Sequence, residues 1–357
     1  MKHGDTPEAA LNRQGWKKLL LSLLALAGML VVQVIGFLVV VALDLPDASL
    51  ASTAVIEAFA AGGATLGMLV LGGASWLRTS RADIADALRT SRAILIADVA
   101  ILVMACGTLV AEGTGVATDW LANLAATALI CLGIGISEEL TYRGVYLNGI
   151  LAVSGRTHRG TMWGVTLTSI LFGLAHVDVS TDFAEPFLAA QALLKVAQTG
   201  LFSIVLCAIA LRNRRLGGVS LVHGLSDFLL MMPSLVLAGE ELVTEYVTTG
   251  DDGVATIVIY ALTIALYLPI AIRELRRMHR EQLTYRGVFM EGAVQDYREA
   301  QAQAQAIAVT PGLTDLVTDA PDATTGTLSD QVRPSSDGTS DEQDWQGRPV
   351  PPSGFPR

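Results

Sequence analysis

Two adjacent glutamates at the end of an apolar run are the residues best suited to chemistry. Glu138 and Glu139 follow the apolar residues 121–136, separated from them only by Ser137. An ionised group at the centre of a membrane helix costs roughly 2.5–3.5 kcal/mol, so carboxylates persist there when they face a protein interior or a water-filled cavity. In a helix, Glu139 and Arg143 stand at i and i+4 and can pair, whereas Glu138 points about 100° away and lacks that partner. Glu138 can then act as a general base; the alternative is a pair of interfacial charges at a helix end.

Two of the five histidines lie within apolar segments, and each is a candidate for catalysis. A predicted helical hairpin turns at residues 154–160, with Glu138 sixteen residues before the turn and His176 sixteen residues after it. At ~1.5 Å per residue both lie about 24 Å from the turn, and a carboxylate and an imidazole at one level can share a water. His223 and Asp227 stand at i and i+4, so the carboxylate can orient the imidazole. A histidine in a span is otherwise an interhelical hydrogen bonder, and the position of His223 just behind a basic turn leaves its depth open.

A zinc site is an alternative that these side chains leave open. Glu138, His176 and His223 are acceptable zinc ligands, and a zinc-bound water also hydrolyses peptides. They stand on three different predicted helices, and the chain contains no His-Glu-x-x-His sequence. The thiols have no metal-ligand spacing and are interpreted as small core residues: Cys106, Cys131 and Cys207. We therefore predict a site without a metal or other cofactor and keep zinc as the alternative.

The composition places these residues in a membrane protein. Hydrophobic residues make up 52% of the chain and charged residues 16%, against about 25% charged residues in a soluble domain. The apolar runs predict an all-α bundle of about eight transmembrane helices. Their approximate bounds are 19–43, 54–77, 93–110, 120–136 (running on through the glutamates to 151), 161–176, 187–211, 219–237 and 254–272. The basic residues cluster beside these spans, which argues against a nucleic-acid partner.

The charges of the loops predict how the bundle crosses the membrane. The loops after spans one, three, five and seven contain no Lys or Arg, whereas the alternate loops contain several Arg. Cytoplasmic loops carry the excess of Lys and Arg, so both termini are predicted to be cytoplasmic and the protein to lie in the cell membrane. Only Arg143 and Lys195 depart from this pattern. Lys195 shares a helix face with Gln191 and Gln198, and we interpret it as a snorkelling or interhelical residue rather than a catalytic lysine.

The two ends of the chain differ in composition from the membrane domain, which we place at residues 16–280. Residues 1–15 are polar and predicted to be a frayed cytoplasmic N-terminus. Residues 281–310 are predicted to form a cytoplasmic helix. Residues 311–357 have little apolar surface to bury and are predicted to be disordered.

A short segment after the last span nearly repeats the glutamate motif. Residues 281–290 match residues 138–147 except at three positions, and Gln282 replaces the second glutamate. The second copy has no second carboxylate. We attribute the near-repeat to chance or to a shared helix-plus-turn composition rather than to a segment that docks like the first copy.

Three short motifs on successive spans resemble those of a known family. Glu138-Glu139-x-x-x-Arg143, Phe172-x-x-x-His176 and His223-x-x-x-Asp227 are similar in order and spacing to the motifs of the CPBP intramembrane proteases, also called Abi. That family joins the CAAX prenyl proteases to bacteriocin-processing and bacteriocin-immunity proteins, and the resemblance covers residues 120–235. It implies a glutamate-dependent endopeptidase in which Glu138 and His176 activate water while His223 and Asp227 hold the oxyanion. The supporting residues that it implies are Glu139, Arg143 and Phe172.

Asp227 departs from the family pattern, which most often has Asn at this position. An amide is a hydrogen-bond donor suited to an oxyanion, whereas an ionised carboxylate only accepts. Asp227 must therefore stay protonated or serve to orient His223, which leaves His223 as the main donor.

We predict an intramembrane endopeptidase that hydrolyses membrane-associated peptides or proteins at or within the bilayer. The alternative from a different class is a non-enzymatic membrane protein of the same fold, such as an immunity factor or a partner-binding scaffold. The expected partners are a peptide or membrane-protein substrate and the lipid bilayer. Prenylation of the substrate does not follow from the family name, and the sequence predicts no particular oligomeric state.

Overall fold

A computed structural model describes residues 6–177, 181–240 and 246–309 of the chain. Every regular element in these residues is helical, which confirms the predicted all-α fold. Seven of the described helices are long and apolar enough to cross a membrane. Large apolar side chains are exposed along them, including Leu24, Leu30 and Val110. The protein is a multi-pass membrane protein.

The helices follow the predicted spans with one exception. Their bounds are α1 Pro7–Ala42, α2 Leu50–Leu71, α3 Arg81–Ala111, α4 Trp120–Glu139, α5 Leu147–Ser154, α6 His158–Leu174, α7 Pro186–Asn213, α8 Gly217–Met231, α9 Gly250–Arg280 and α10 Glu291–Val309. The exception is α6, which has 17 residues. At ~1.5 Å per residue it is about 26 Å long, less than the ~30 Å of the hydrocarbon core. The described residues thus contain seven candidate spans rather than the predicted eight, and the side of the membrane on which each terminus lies remains a prediction.

The first helix begins earlier than its apolar run. The Thr6 side chain accepts a hydrogen bond from the Ala9 N–H at 3.3 Å, and Pro7 is the first helical residue. Proline suits this position because its missing N–H would have no helical partner there. Residues 7–15 are therefore helical rather than frayed, and Leu11 among them is buried. Residues 1–5 lie outside the described part of the chain.

Two glycines allow α4 and α8 to pack closely beside the motif residues. A Cβ at Gly135 would lie 2.4 Å from a backbone oxygen of α8, and a Cβ at Gly224 would lie 2.5 Å from a backbone oxygen of α4. A larger side chain at either position would force the two backbones apart, which is why small residues are enriched at membrane helix interfaces. The contact brings Glu139, one turn after Gly135, next to His223, which directly precedes Gly224.

The fourth span changes its helical geometry at the first motif. Residues Trp120–Ser154 form one continuous span, but Leu140–Tyr146 in the middle of it is π-helical. Such segments are rare and frequently occur at functional sites. The π-helix begins directly after Glu139 and contains Arg143, so it sets the directions in which these two side chains leave the span.

Residues 281–290 differ most from their prediction. The chain turns at Gln282 (φ 48°) and Gly287 (φ 81°), forms a short 3₁₀-helix at Val288–Met290 and only then enters α10. Tyr285 and the short helix are buried. The near-repeat therefore docks on the bundle because its apolar side chains are buried there, and the helix predicted for residues 281–310 starts at Glu291. The predicted disordered tail, residues 311–357, lies outside the described residues.

Candidate active site

Glu139 lies at the centre of the motif residues and contacts two nitrogen-bearing side chains. Its Oε1 accepts a hydrogen bond from Arg143 Nη1 at 2.8 Å and lies 2.8 Å from His223 Nδ1. An ionised carboxylate only accepts, so Nδ1 of His223 carries the proton of this bond. The side chains of Glu139 and Arg143 are fully buried. The predicted pairing of Glu139 with Arg143 is present, and the same carboxylate also fixes the ring of His223.

The other ring nitrogen of His223 faces two more carboxyl groups. Its Nε2 is 3.6 Å from Oε2 of Glu138 and 3.6 Å from Oδ2 of Asp227. These distances are too long for direct hydrogen bonds but short enough for electrostatic attraction. The side chains of Glu138 and Asp227 are 31% and 20% exposed, against 5% for His223. The third motif therefore meets the first, and the two carboxyl groups form the accessible edge of the cluster.

The Phe172 ring connects the second motif to the other two. Its centroid lies 4.3 Å from Cζ of Arg143, 5.8 Å from the ring of His223 and 4.7 Å from the ring of His176. His176 stands just beyond the end of α6, and its Nδ1 is 2.8 Å from the Phe172 carbonyl oxygen. A carbonyl oxygen only accepts, so Nδ1 donates and Nε2 of the neutral ring keeps its lone pair. The Phe-x-x-x-His spacing thus supplies both the ring contact and the hydrogen bond that orient His176.

His176 is joined to the cluster through Phe172 rather than through Glu138. No ion-pair contact between His176 and Glu138 occurs in the described residues, although the hairpin argument placed them at one level. The equal spacing from the turn does not fix the direction in which the imidazole points. The end of α6 at Leu174 and the hydrogen bond to Phe172 decide that direction instead.

Lys195 lies against two tyrosine rings on the side of the cluster near His176. Its Nζ is 4.3 Å from the ring centroid of Tyr246 and 5.6 Å from that of Tyr260. The Tyr246 ring is in turn 5.7 Å from the ring of His176. Lys195 is therefore an interhelical cation–π partner, one of the two roles predicted for it.

The segment that carries Tyr246 is fastened to α7. Gln191 Nε2 donates to the Thr248 carbonyl oxygen at 2.8 Å, and the Thr248 N–H donates to Gln191 Oε1 at 3.0 Å. Burial, and to a smaller extent the nearby carboxylates of Glu138 and Asp227, raise the pKa of Tyr246 to about 12. The phenol is therefore neutral at physiological pH and keeps its O–H donor.

Two further acidic residues lie beside the cluster, and the sequence argument missed both. Glu57 Oε2 accepts a hydrogen bond from Ser137 Oγ at 3.1 Å, and Asp98 Oδ2 accepts one from Ser226 Oγ at 2.7 Å. Each serine directly precedes a motif carboxylate in the sequence, so each bond holds the backbone beside a candidate site residue. The sequence could have indicated both residues, because an ionisable residue within a membrane span marks a functional site by default.

The described residues contain no group of three or more His, Cys, Asp or Glu side chains arranged to hold a metal ion. Two of the zinc ligands considered above, Glu138 and His223, approach each other at 3.6 Å. The third, His176, packs on the Phe172 ring.

Comparison with known proteins concerns the part of the chain that holds these motifs. The family model of type II CAAX prenyl endopeptidase Rce1-like proteins matches residues 120–229. Residues 120–229 are CAAX-protease-like. This match confirms the resemblance indicated by the three motifs, and the matched family is one of endopeptidases. Neither a curated protein nor a solved structure matches the chain.

The CAAX-protease-like core runs from the start of α4 into α8 and contains all seven predicted site residues. Five of them form one polar cluster with contacts of 2.8–3.6 Å, and Phe172 joins His176 to it through ring contacts. The five are Glu138, Glu139, Arg143, His223 and Asp227. The sequence argument missed the glycine contact that brings the first and third motifs together. The sequence feature that could have predicted this contact is the presence of Gly135 and Gly224 one turn or less from the motif residues. The narrower labels Abi and bacteriocin processing remain predictions.

Proposed function

We propose that this protein is a membrane-embedded endopeptidase that cleaves membrane-associated peptides or proteins with a water molecule activated by Glu138 and His176. The observation that supports this best is the approach of His223 Nε2 to both Glu138 and Asp227 at 3.6 Å within a CAAX-protease-like core. A partly exposed carboxylate beside an oriented imidazole is an arrangement suited to general acid–base catalysis of hydrolysis.

Glu138 acts as the general base in this mechanism. It takes one proton from water while the water oxygen bonds to the peptide carbonyl carbon and the C=O electron pair moves onto the carbonyl oxygen. Collapse of the tetrahedral intermediate breaks the C–N bond, and Glu138 returns its proton to the departing nitrogen. His176, whose Nδ1 is bonded to the Phe172 carbonyl oxygen, presents Nε2 as an acceptor for the second hydrogen of the same water.

His223 is placed to stabilise the oxyanion. Its Nδ1 is occupied by Glu139, so only Nε2 is directed toward Glu138 and Asp227. When Nε2 carries a proton it donates to the oxyanion, and loss of one such donor costs about 10²–10³ in kcat. Because Glu139 already orients the ring at 2.8 Å, Asp227 serves better as a protonated second donor than as the orienting group.

The proposal is tested by comparing membrane peptides from cells that carry the intact protein or the Glu138→Gln variant. The substitution keeps the shape of the side chain and removes the base. Mass spectrometry should detect shortened membrane peptides only with the intact protein, and the purified protein should reproduce the cleavage. Identical peptide patterns, or full function of Glu138→Gln, would favour the non-enzymatic alternative. Loss of cleavage with a chelator and its return with zinc would establish the metal-dependent alternative.

Asp227→Asn separates the two roles considered for this residue. An amide is a permanent donor, so the variant should keep kcat within about tenfold of the original if Asp227 donates to the oxyanion. If Asp227 orients His223 as an anion, the same change should lower kcat over the whole pH range. Steady-state kinetics between pH 5 and 9, an interval of about four units chosen around the ordinary pKa of histidine, distinguishes the two.

A further inference from the structure

One buried asparagine connects the two near-repeats of the chain. Nδ2 of Asn148 donates to the carbonyl oxygens of Arg143 at 2.8 Å and Gly144 at 2.9 Å. Its Oδ1 accepts a hydrogen bond from the Val288 N–H at 2.7 Å. The side chain is fully buried. Its donor end therefore bonds the first copy and its acceptor end bonds the second.

Residues 283–290, which we name the strap, lie against α5 and α6 through their backbone. The Tyr285 N–H donates to Thr161 Oγ1 at 3.3 Å. A Cβ on Gly287 would lie 2.6 Å from the carbonyl oxygen of Asn148, so only glycine permits this close approach. Backbone groups thus hold the strap in one register on the bundle.

The side chains of the strap are also part of the folded core. The Tyr285 ring stacks on Trp76 with 5.9 Å between centroids, and Cζ of Arg214 lies 5.0 Å from the centroid of the same tyrosine. Phe289 and Met290 are 6% and 1% exposed. The strap therefore belongs to the membrane domain and is not a loosely attached extension of α9.

The hydrogen bonds of Asn148 end on the π-helix that carries the first motif. Arg143 and Gly144 both lie within Leu140–Tyr146. Buried carbonyl groups need hydrogen-bond partners, and one side chain supplies a donor to both. Arg143 is bonded to Glu139, and Glu139 holds His223. A continuous series of hydrogen bonds thus leads from the strap to the candidate oxyanion donor.

We propose that Asn148 is a positioning residue for the candidate active site and that the strap holds Asn148 in place. Asn148 fixes the backbone of Arg143, and the Arg143 side chain fixes Glu139 and with it the ring of His223. The kinetic consequence rests on the proposed function. The coupling of the strap to the π-helix is a structural statement and is testable by itself.

Replacing Val288 with proline removes the N–H that bonds to Asn148 and places the ring carbon Cδ against Asn148 Oδ1, which lies 2.7 Å from the nitrogen. The Asn148 side chain must therefore move. Gly287 has ψ 153°, the extended value preferred before proline, and Val288 opens a short helix, where proline is tolerated. Val288→Ala is the matched control, because it shortens the side chain and keeps the N–H. Thr161→Val is a second control, because it releases the Tyr285 N–H and leaves Asn148 bonded.

Kinetics of the purified variants on a peptide found by the mass-spectrometric comparison separate positioning from stability. Val288→Pro should lower kcat by about ten- to a hundredfold, the scale of a small misplacement of catalytic groups, with KM within about twofold of the original. Both controls should keep kcat within about twofold even where Tm falls. A folded Val288→Pro variant with normal kcat would overturn the proposal.

Hydrogen–deuterium exchange gives a readout that needs no activity. Val288→Pro should speed exchange of the amides at residues 140–148 and leave those of α7 unchanged. Unchanged exchange at residues 140–148 would also overturn the proposal. Failure of the proposed function would give a different result. The unaltered protein would then show no Glu138-dependent turnover, while Val288→Pro would still change the exchange at residues 140–148.

Asn148→Ala removes the same hydrogen bond from the other side and provides a second variant if Val288→Pro does not fold. It should raise exchange at residues 140–148 and lower kcat at least as much as Val288→Pro. The double variant should lose no more than Asn148→Ala alone, because Val288→Pro acts only through the Asn148 side chain. An additive loss would mean that the strap and Asn148 act separately, and the proposal would fail.

Discussion

Residues 138–147 and residues 281–290 share the order Glu-x-Leu-Thr-Tyr-Arg-Gly-Val and adopt different structures. The first copy is helical throughout, as α4 passes into the π-helix Leu140–Tyr146. The second copy leaves the helix after Arg280, runs without regular structure to Gly287 and forms the short helix Val288–Met290. The same local sequence is therefore compatible with both, and the surroundings of each copy decide between them.

The second position of each copy shows why the surroundings differ. Glu139 is fully buried between Arg143 and His223, so its helix continues inside the bundle. Gln282 has φ 48° and stands just past the basic last turn of α9, where the last helical carbonyls are satisfied by a turn. A buried charge needs its cation, whereas an amide at a helix end does not. The residue at the second position thus matches the surroundings of its copy, a buried pair in the first and a helix end in the second.

The largest difference between the copies is expected at their first glutamate. Glu138→Gln should lower kcat by about 10²–10⁴, the usual contribution of general-base catalysis. The matched change Glu281→Gln should leave kcat unaltered, because Glu281 forms an exposed ion pair with Arg277. Turnover of the purified variants checks this. Activity that survives Glu138→Ala would contradict the assignment of the base.

His176 provides a second test of the proposed water activation at the candidate active site. His176→Ala should cost about as much as Glu138→Gln, and the double variant little more than the worse single, because residues that act as a unit are not additive. The same turnover measurement applies. Independent, multiplicative losses would show that the two residues do not act on one water.

The next largest difference is expected at the arginines and concerns stability. Arg143→Gln removes the buried cation paired with Glu139, leaves the carboxylate only its contact with His223, and should cost about 3–5 kcal/mol. Arg286→Gln removes a hydrogen bond to Asn12 and should cost only about 1 kcal/mol. Thermal unfolding in detergent measures both. Equal shifts in Tm would mean that the two arginines have similar surroundings, which would contradict the difference inferred between the two copies.

At the glycines, the second copy should be the one whose substitution lowers Tm more. Gly287 has φ 81° and ψ 153°, a region that is almost restricted to glycine and costs other residues about 1–3 kcal/mol. Gly144 is helical, and a Cβ there would meet the side chains of Met68 at 2.7 Å and Leu216 at 3.2 Å, which can adjust. Gly287→Ala should therefore lower Tm more than Gly144→Ala. A larger loss for Gly144→Ala would show that the site copy is the more tightly packed of the two.

The smallest effect is expected beyond the second copy. Truncation after Ala308 keeps the strap and removes a polar tail, so turnover and Tm should both stay at their original values. Expression, turnover and thermal unfolding of the truncated protein test this. A clear change in turnover would assign the tail a role that its composition does not indicate.

The amino-acid sequence by itself determined the membrane class, most of the span bounds and the three motifs. Apolar runs report burial in lipid directly, because each residue of a span contributes to its transfer free energy. The spacing of Glu139 and Arg143 predicted their pairing, because residues at i and i+4 lie on one face of an α-helix. These features depend on neighbouring residues in the sequence and can be read from it.

The tertiary structure decided how the motifs meet. The second partner of Glu139 is His223, which is 84 residues distant, and the contact depends on two glycines that allow α4 and α8 to approach. The direction of His176 depends on where α6 ends, and the role of residues 281–290 depends on the acceptor that Asn148 offers them. Such contacts join segments far apart in sequence, and only packing selects among the many that local patterns allow.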